Sequence, residues 1–418
     1  MEINNIPIKI IKDKKFKTIQ IKIVCYNQFT KENATAYTLL TRMLTSSTYK
    51  YNTKEKMHQI TGKLYGAGVG ISTTSFYTTR VTTITLKLIN PKYILTENTL
   101  LDDALDFLYH VLCRPHVFKY QYNKRYFETH AFNEEKRILE NDIENTFNNK
   151  KSYAFKRAIQ NMCPGEHYSI SRLGTLEDLE KINEISLYDT YLDLLYNSKK
   201  YIFIYGDVED DIVDKLKVLK KLKSQDVDLD FNMKYNIDVS KVKEVLETGN
   251  INQAALVMGY RTEINHYDSD YYAFRLFLIM LGGMATSTLH QVIREKHNLC
   301  YSIYTTNSLD HKLFFIGAGI DKENYSKTVD LIKEEVSKYQ NGIVDEKLLN
   351  IVKLDMKNQF IDITDYPSEI INLEVRKDVM NLCGDVDKLI ELYDNVVKED
   401  IVRVANRIKL DTVYMLSN

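Results

Sequence analysis

Residues 284–306, MATSTLHQVIREKHNLCYSIYTT, decide how this chain is built. Leu289, Val292 and Ile293 recur at helical spacing, so the first part reads as an amphipathic helix. Asn298 follows the Arg294-Glu295-Lys296 run, and asparagine tolerates the left-handed turn that ends helices. A strand rich in Tyr, Ile and Thr comes next. Arg294 is thereby expected in the last helical turns and Tyr301 at the strand's opening, where both can face one cleft. The same stretch has an echo 232 residues earlier: His58-Gln59 matches His290-Gln291, Ile71 matches Ile303, and Thr73-Thr74 matches Thr305-Thr306. Self-similarity at that distance points to two related halves.

The length agrees. A chain of 418 residues exceeds one ordinary core, and two domains are expected, over residues 1–220 and 221–418. Apolar residues make up 44% and charged residues 27%, as in a globular protein. A formal net charge of -1 gives no electrostatic reason to bind nucleic acid or an anionic membrane. The five cysteines are scattered without a Cys-x-x-Cys, so neither a disulfide framework nor a zinc knuckle is expected. The first residues lack a signal-peptide apolar run, and no stretch reaches membrane-span length. These features predict a soluble, cytoplasmic protein with reduced thiols.

Along the first half, strands are expected at Ile8–Ile11 and Thr18–Cys25, then helices at Asn33–Leu44 and Lys54–Tyr65. Gly66, Gly68 and Gly70 turn the chain into a strand pair that includes Arg80–Ile89. Helical patterns cover Leu100–Cys113, Tyr120–Asn145, Ser152–Met162 and Ser186–Asn197, and Lys200–Asp207 closes the half as a strand. After a charged connection, Glu209–Asn236, the second half repeats the order. Strands are expected at Gln253–Gly259, Phe314–Ile320 and Thr412–Leu416. Helices are expected at Ser269–Leu281, Asn324–Tyr339, Asp345–Phe360 and Lys398–Ile408. Each half is therefore expected to be α+β, a mostly antiparallel sheet with helices on one face.

No motif declares a reaction. None of the nine histidines forms a His-x-x-x-His pair, so the one-face ligand geometry of a helical zinc site is absent. Glu263 and His266 form a single i, i+3 pair, and His290 and His297 have no carboxylate at ligand spacing. There is no Gly-x-Ser-x-Gly elbow. The run Gly66-Ala67-Gly68-Val69-Gly70 lacks the Gly-Lys-Ser/Thr ending of a phosphate loop and leads into a strand.

Read in order, however, Gly282-Gly283-Met284, Ser287 to Ser302 and Tyr205-Gly206-Asp207 resemble the M16 (pitrilysin/insulinase-like) metallopeptidase family over nearly the whole chain. The likeness is to bacterial members encoded as two dissimilar half-size subunits. It implies the LuxS/MPP-like metallohydrolase fold. It also implies that Arg294, with Tyr301 seven residues on, helps bind and polarise a scissile peptide. Active members carry His-x-x-Glu-His on the first helix of the N-terminal half. The corresponding residues here are Thr38-Leu39-Leu40-Thr41-Arg42, and the distal Glu ligand falls near Asp142, seven residues after Glu135. One carboxylate does not hold zinc, and Arg42 opposes a cation.

The resemblance thus implies a non-zinc-binding subunit that binds no cofactor itself. Zinc is expected in a heterodimeric partner bearing His-x-x-Glu-His, with a peptide as substrate. A non-enzymatic peptide-binding or scaffold protein on an inactive M16 fold is the alternative. A self-sufficient metallopeptidase would require metal on this chain alone. An Arg at a helix end and a Tyr at a strand start also have a purely structural reading, as a hydrogen bond and a core edge.

Overall fold

The computed structural model describes residues 1–94, 99–120 and 124–418. The chain packs as two units that do not follow a single cut in the sequence. Unit 1 comprises Met1–Glu144 and Ile170–Asp230; unit 2 comprises Asn145–Ser169 and Phe231–Asn418.

Unit 1 is built on strands β1 (Glu2–Ile3), β2 (Ile6–Lys12), β3 (Thr18–Gln28), β4 (Gly68–Phe76), β5 (Thr79–Ile89) and β8 (Lys199–Gly206). The small hairpin β6 (Val117–Lys119) and β7 (Arg125–Phe127) stands apart. The sheet order is β1-β2-β8-β3-β5-β4, antiparallel except for β2 beside β8. In β3, Ile19, Ile21, Ile23 and Cys25 alternate onto the core, as a period of two requires. They meet Leu39, Leu40, Met43 and Leu44 of the helix Lys31–Ser46, and Ala104, Leu105 and Leu108 of the helix Leu100–Cys113. Gly66 takes φ +81° at the turn that leads into β4.

Unit 2 has β9 (Lys243–Thr248), β10 (Ala254–Thr262), β11 (Cys300–Ser308), β12 (Leu313–Ile320) and β13 (Ile408–Ser417), in the order β11-β12-β10-β13-β9. Only β9 runs parallel to its neighbour. The whole of β10 is buried, because each of its faces has its own cover. Leu256 and Met258 join the core under the helices Tyr271–Leu278, Tyr325–Gln340 and Glu346–Ile363. Ala255 and Val257 join a second core with Ala154, Ala158 and Met162 of the helix Lys150–Met162. A strand covered on both sides reads as a continuous apolar run, which is what Ala254 to Gly259 shows. Arg261, 7% exposed, fixes the end of this covering segment. Its guanidinium donates to Glu166 at 2.7 and 2.9 Å, to Asp411 at 2.8 Å and to the Met162 carbonyl at 3.0 Å.

The two halves are α+β with mostly antiparallel sheets, as the sequence predicts. The repeat is structural as well. His58-Gln59 lies in the helix Lys54–Lys63 and leads to the edge strand β4, while His290-Gln291 lies in a helix that leads to the edge strand β11. Two expectations need correction, and three further elements had no expectation. The helix expected over Tyr120–Asn145 begins only at Thr129, because β6 and β7 precede it; residues 121–123 of that expectation lie outside the described residues. The helix ending near Lys296 is wound as a π-helix over His290–Lys296. The charged stretch Lys243–Thr248 is a strand, and the helices Pro367–Asp378 and Val386–Asp394 were not expected.

Candidate functional site

Two places carry the residues singled out above, one in each unit. The first is on the helix Lys31–Ser46. The Thr30 N–H at its start donates to the Asn33 side chain at 3.0 Å, which satisfies one of the first turn's free groups. Thr38 and Thr41 are buried, at 8% and 9% exposure. Their hydroxyls are committed to the backbone: Thr38 donates to the Arg172 carbonyl at 2.7 Å, and Thr41 to the Thr38 carbonyl at 2.8 Å. One position on, the Arg42 guanidinium closes an ion pair with Asp142 of the helix Thr129–Asn148. Glu135, on the same helix and 6% exposed, is taken by Lys54 at 2.8 Å. Burial works against the Lys54 charge, but hydrogen bonds to Glu135 and Glu134 hold its pKa above the ordinary lysine value.

The fold therefore brings Arg42 and Asp142 together, with Thr38 and Thr41 on the same helix as Arg42 but hydrogen-bonded to backbone carbonyls. The chemistry of this locus does not suit a divalent cation. A guanidinium lies where positive charge would have to enter, and it already neutralises the one carboxylate of the four. Among the described residues no group of three His, Cys, Asp or Glu side chains is placed to hold a metal ion.

The second place is the segment 279–308. The helix Tyr271–Leu278 continues as a π-helix over Ile279–Gly283. A Cβ on Gly282 would stand 2.7 Å from the Thr305 methyl, so only glycine lets this helix lie against β11. The π-helix His290–Lys296 buries Ile293 and ends in a tight knot of amides. His297 N–H donates to Val292 at 3.1 Å, Asn298 to Arg294 at 3.0 Å and Leu299 to Ile293 at 3.0 Å. Asn298 takes φ +51°, the left-handed turn its type allows. Single π turns inside helices recur at functional sites.

The chain then enters β11, where the pairing with β12 slips. Cys300 faces Ile320 and Ser302 faces Gly319, leaving Tyr301 between them in a bulge. Bulges re-aim side chains and collect beside active sites. Tyr301 is turned out to 77% exposure. The Arg294 guanidinium carbon lies 6.0 Å from the centre of its ring, and Arg294 Nε lies 3.5 Å from the Glu295 carboxylate. At this exposure such a cation–π contact is worth about 0.5 kcal/mol, too little to explain the arrangement by stability. Burial pushes the neighbouring Cys300 thiol up to about 11, with the Arg294 charge pulling the other way. The arrangement presents two donors, a guanidinium and a phenol, on one exposed spot at a sheet edge.

Residues beside this spot escaped the sequence reading. Ser302, Tyr304 and Gln253 line a cavity of about 240 Å³ against Gly319. The hydroxyl end of the Tyr304 ring lies over Gly317, where a Cβ would come 2.5 Å from it. The signal was Gly317-Ala318-Gly319 inside a strand, since glycine there marks a close approach.

Residues 181–355 match the family model of the peptidase M16 inactive domain. The chain is 26% identical over 408 residues to the probable inactive metalloprotease YmfF of Bacillus subtilis, covering 97% of this chain and 94% of that protein. It is 24% identical over 229 residues to an uncharacterized zinc protease of Rickettsia felis, covering 52% of this chain and 53% of that one. Among solved structures, a conserved protein from Enterococcus faecalis superposes with TM-score 0.90 at 25% identity, over 98% of this chain and 96% of that one. A peptidase M16 inactive domain from Pseudomonas fluorescens superposes with TM-score 0.79 at 14% identity, over 98% and 95%, a likeness of fold alone.

Proposed function

From the premise that this chain belongs to the M16 peptidase family and carries its inactive domain, we propose that it is the metal-free subunit of a composite zinc peptidase. In this reading it has homologous halves over residues 1–220 and 221–418. A partner of the same family, bearing His-x-x-Glu-His, supplies the zinc that activates water. This chain supplies Arg294 and Tyr301. The Tyr301 phenol donates a hydrogen bond to the oxygen that gains charge as a peptide carbonyl is attacked, and Arg294 holds the substrate backbone beside it. The edge strands β4 and β11 offer free backbone groups to which an extended peptide adds as a further strand.

The observation that carries this reading is the Tyr301 bulge with Arg294 beside it, kept exposed in a chain whose Arg42–Asp142 pair fills the corresponding metal locus. The five cysteines are all free thiols, which supports a cytoplasmic setting. Among the described residues no helix is long and apolar enough to cross a membrane.

The test is co-expression with a family chain bearing His-x-x-Glu-His, followed by peptide hydrolysis with and without chelator. Chelator-sensitive cleavage is expected. Tyr301→Phe should lower kcat/KM on the order of a hundredfold, as loss of one oxyanion donor does, and Arg294→Ala should lower it through loss of the substrate-backbone contact. Unchanged cleavage by both variants refutes the catalytic role. The Arg42–Asp142 pair equally suits a second reading, a peptide-binding or scaffold protein without catalysis. A stable homodimer indifferent to any zinc-bearing partner would decide for it.

A further inference from the structure

Unit 1 holds a cavity of about 550 Å³ that shares no residue with the Thr38–Asp142 locus. It opens where the residues after the helix Leu100–Cys113 meet the hairpin of β6 and β7, the helix Glu184–Tyr196 and Lys221. Four cations line it: Arg114, Lys119, Arg125 and Lys221. Among the described residues no carboxylate does.

This is unusual for the chain, whose 56 basic and 57 acidic residues nearly balance. Several other lysines of unit 1 are ion-paired: Lys50 with Asp106, Lys54 with Glu134 and Glu135, Lys215 with Asp102. Among the described residues none of the four cavity cations forms an ion pair. Lys221 Nζ reaches only the Cys113 carbonyl, at 3.3 Å, and Arg114 lies 5.2 Å from the Tyr49 ring centre. Four like charges around one hollow repel one another, and an anion entering it would offset that repulsion for all four.

The rest of the lining is aromatic. Tyr191, buried, spends its hydroxyl on the Leu112 carbonyl at 2.9 Å, so it offers the cavity a ring and not a donor. Tyr49 and Tyr196 stand 63% and 38% exposed at the rim, open to a planar group. The volume falls within the range of roughly 300–1,000 Å³ typical of small-molecule sites, well beyond the needs of a lone ion. Arginine forks match phosphate oxygens in pairs, and tyrosine faces stack on planar rings.

We propose that this cavity binds a small phosphorylated molecule with an aromatic ring, of mononucleotide size. The phosphates lie among Arg114, Arg125 and Lys221, and the ring rests on the exposed tyrosines.

The test uses the full chain and calorimetric titration with ADP, inorganic pyrophosphate and adenosine. ADP is expected to bind one per chain, more tightly than pyrophosphate and far more tightly than adenosine, with affinity falling as salt rises. Arg125→Gln and Lys221→Gln should each weaken ADP about tenfold without lowering the thermal midpoint, since neither residue is ion-paired and each adds to the mutual repulsion. Absence of ADP binding at millimolar concentration overturns the proposal, as does binding that both variants leave intact. Pyrophosphate binding as tightly as ADP overturns the role given to the tyrosines.

Discussion

Arg261→Met tests the packing argument most sharply. In unit 2 the guanidinium is 7% exposed and the side chains of its partners Glu166 and Asp411 only 17% and 15%. Burial opposes its charge, yet the hydrogen bonds to Glu166 and Asp411 raise its pKa above the ordinary arginine value. Methionine keeps much of the volume but strands two shielded carboxylates. Removing one member of a buried ionic cluster costs about 3–5 kcal/mol, a large share of the roughly 5–15 kcal/mol that holds a domain folded. Urea unfolding followed by far-ultraviolet circular dichroism reads the loss in the unit 2 transition. A second variant separates charge from volume. Adding Glu166→Gln and Asp411→Asn to Arg261→Met removes the stranded charges and should recover most of the stability, since apolar replacement of a whole buried cluster is often nearly neutral. A single variant that loses less than about 1 kcal/mol refutes the reasoning. So does a triple variant no more stable than the single one.

Two other outcomes are expected. His266 is held at a pKa of about 4, chiefly by burial, with Asp310 opposing and Arg376 and Arg275 assisting. Its folded value lies below the unfolded value of about 6.5, so the unfolded chain takes up the proton first. Stability is therefore complete above pH 6.5 and falls by on the order of 3 kcal/mol as pH drops to about 4. His266→Gln should flatten that slope in pH-dependent urea melts, and an unchanged slope refutes the assignment. Rebuilding the metal locus as Thr38→His, Thr41→Glu, Arg42→His and Asp142→Glu should give one zinc per chain by elemental analysis, because Arg42 already meets Asp142 and Thr38 lies one helical turn before Arg42; no bound zinc would show that the four positions do not converge.

Much of this fold is written locally. Asn298 announced its left-handed turn because few residue types accept one, and the alternation of Thr18 to Cys25 declared its core face. What stayed hidden depends on partners distant in sequence. The bulge at Tyr301 is set by how β11 pairs with β12, which no single strand encodes. Lys243–Thr248 looks like solvated loop because an edge strand can carry charge. The helix Lys150–Met162 shows an apolar face in its sequence but not the sheet that receives it. The approach of Arg42 to Asp142 was legible only through family resemblance, for nothing local links residues 100 positions apart. The cavity cations Arg114, Lys119, Arg125 and Lys221 form no motif for the same reason.

The helix Lys150–Met162 also constrains how the polypeptide can be made. It leaves the ribosome early, whereas the strands it covers end with β13, the last ten structured residues of the chain. Until β10 and β12 are made its Ala154, Ala158 and Met162 stripe has nothing to dock on, and its cover stays incomplete until β13 follows; a nascent chain in that condition invites chaperone capture or aggregation. A gene split near residue 220 would leave the downstream product with Val257, Phe315 and Tyr414 bare to water, so the two pieces should be soluble only when synthesised together.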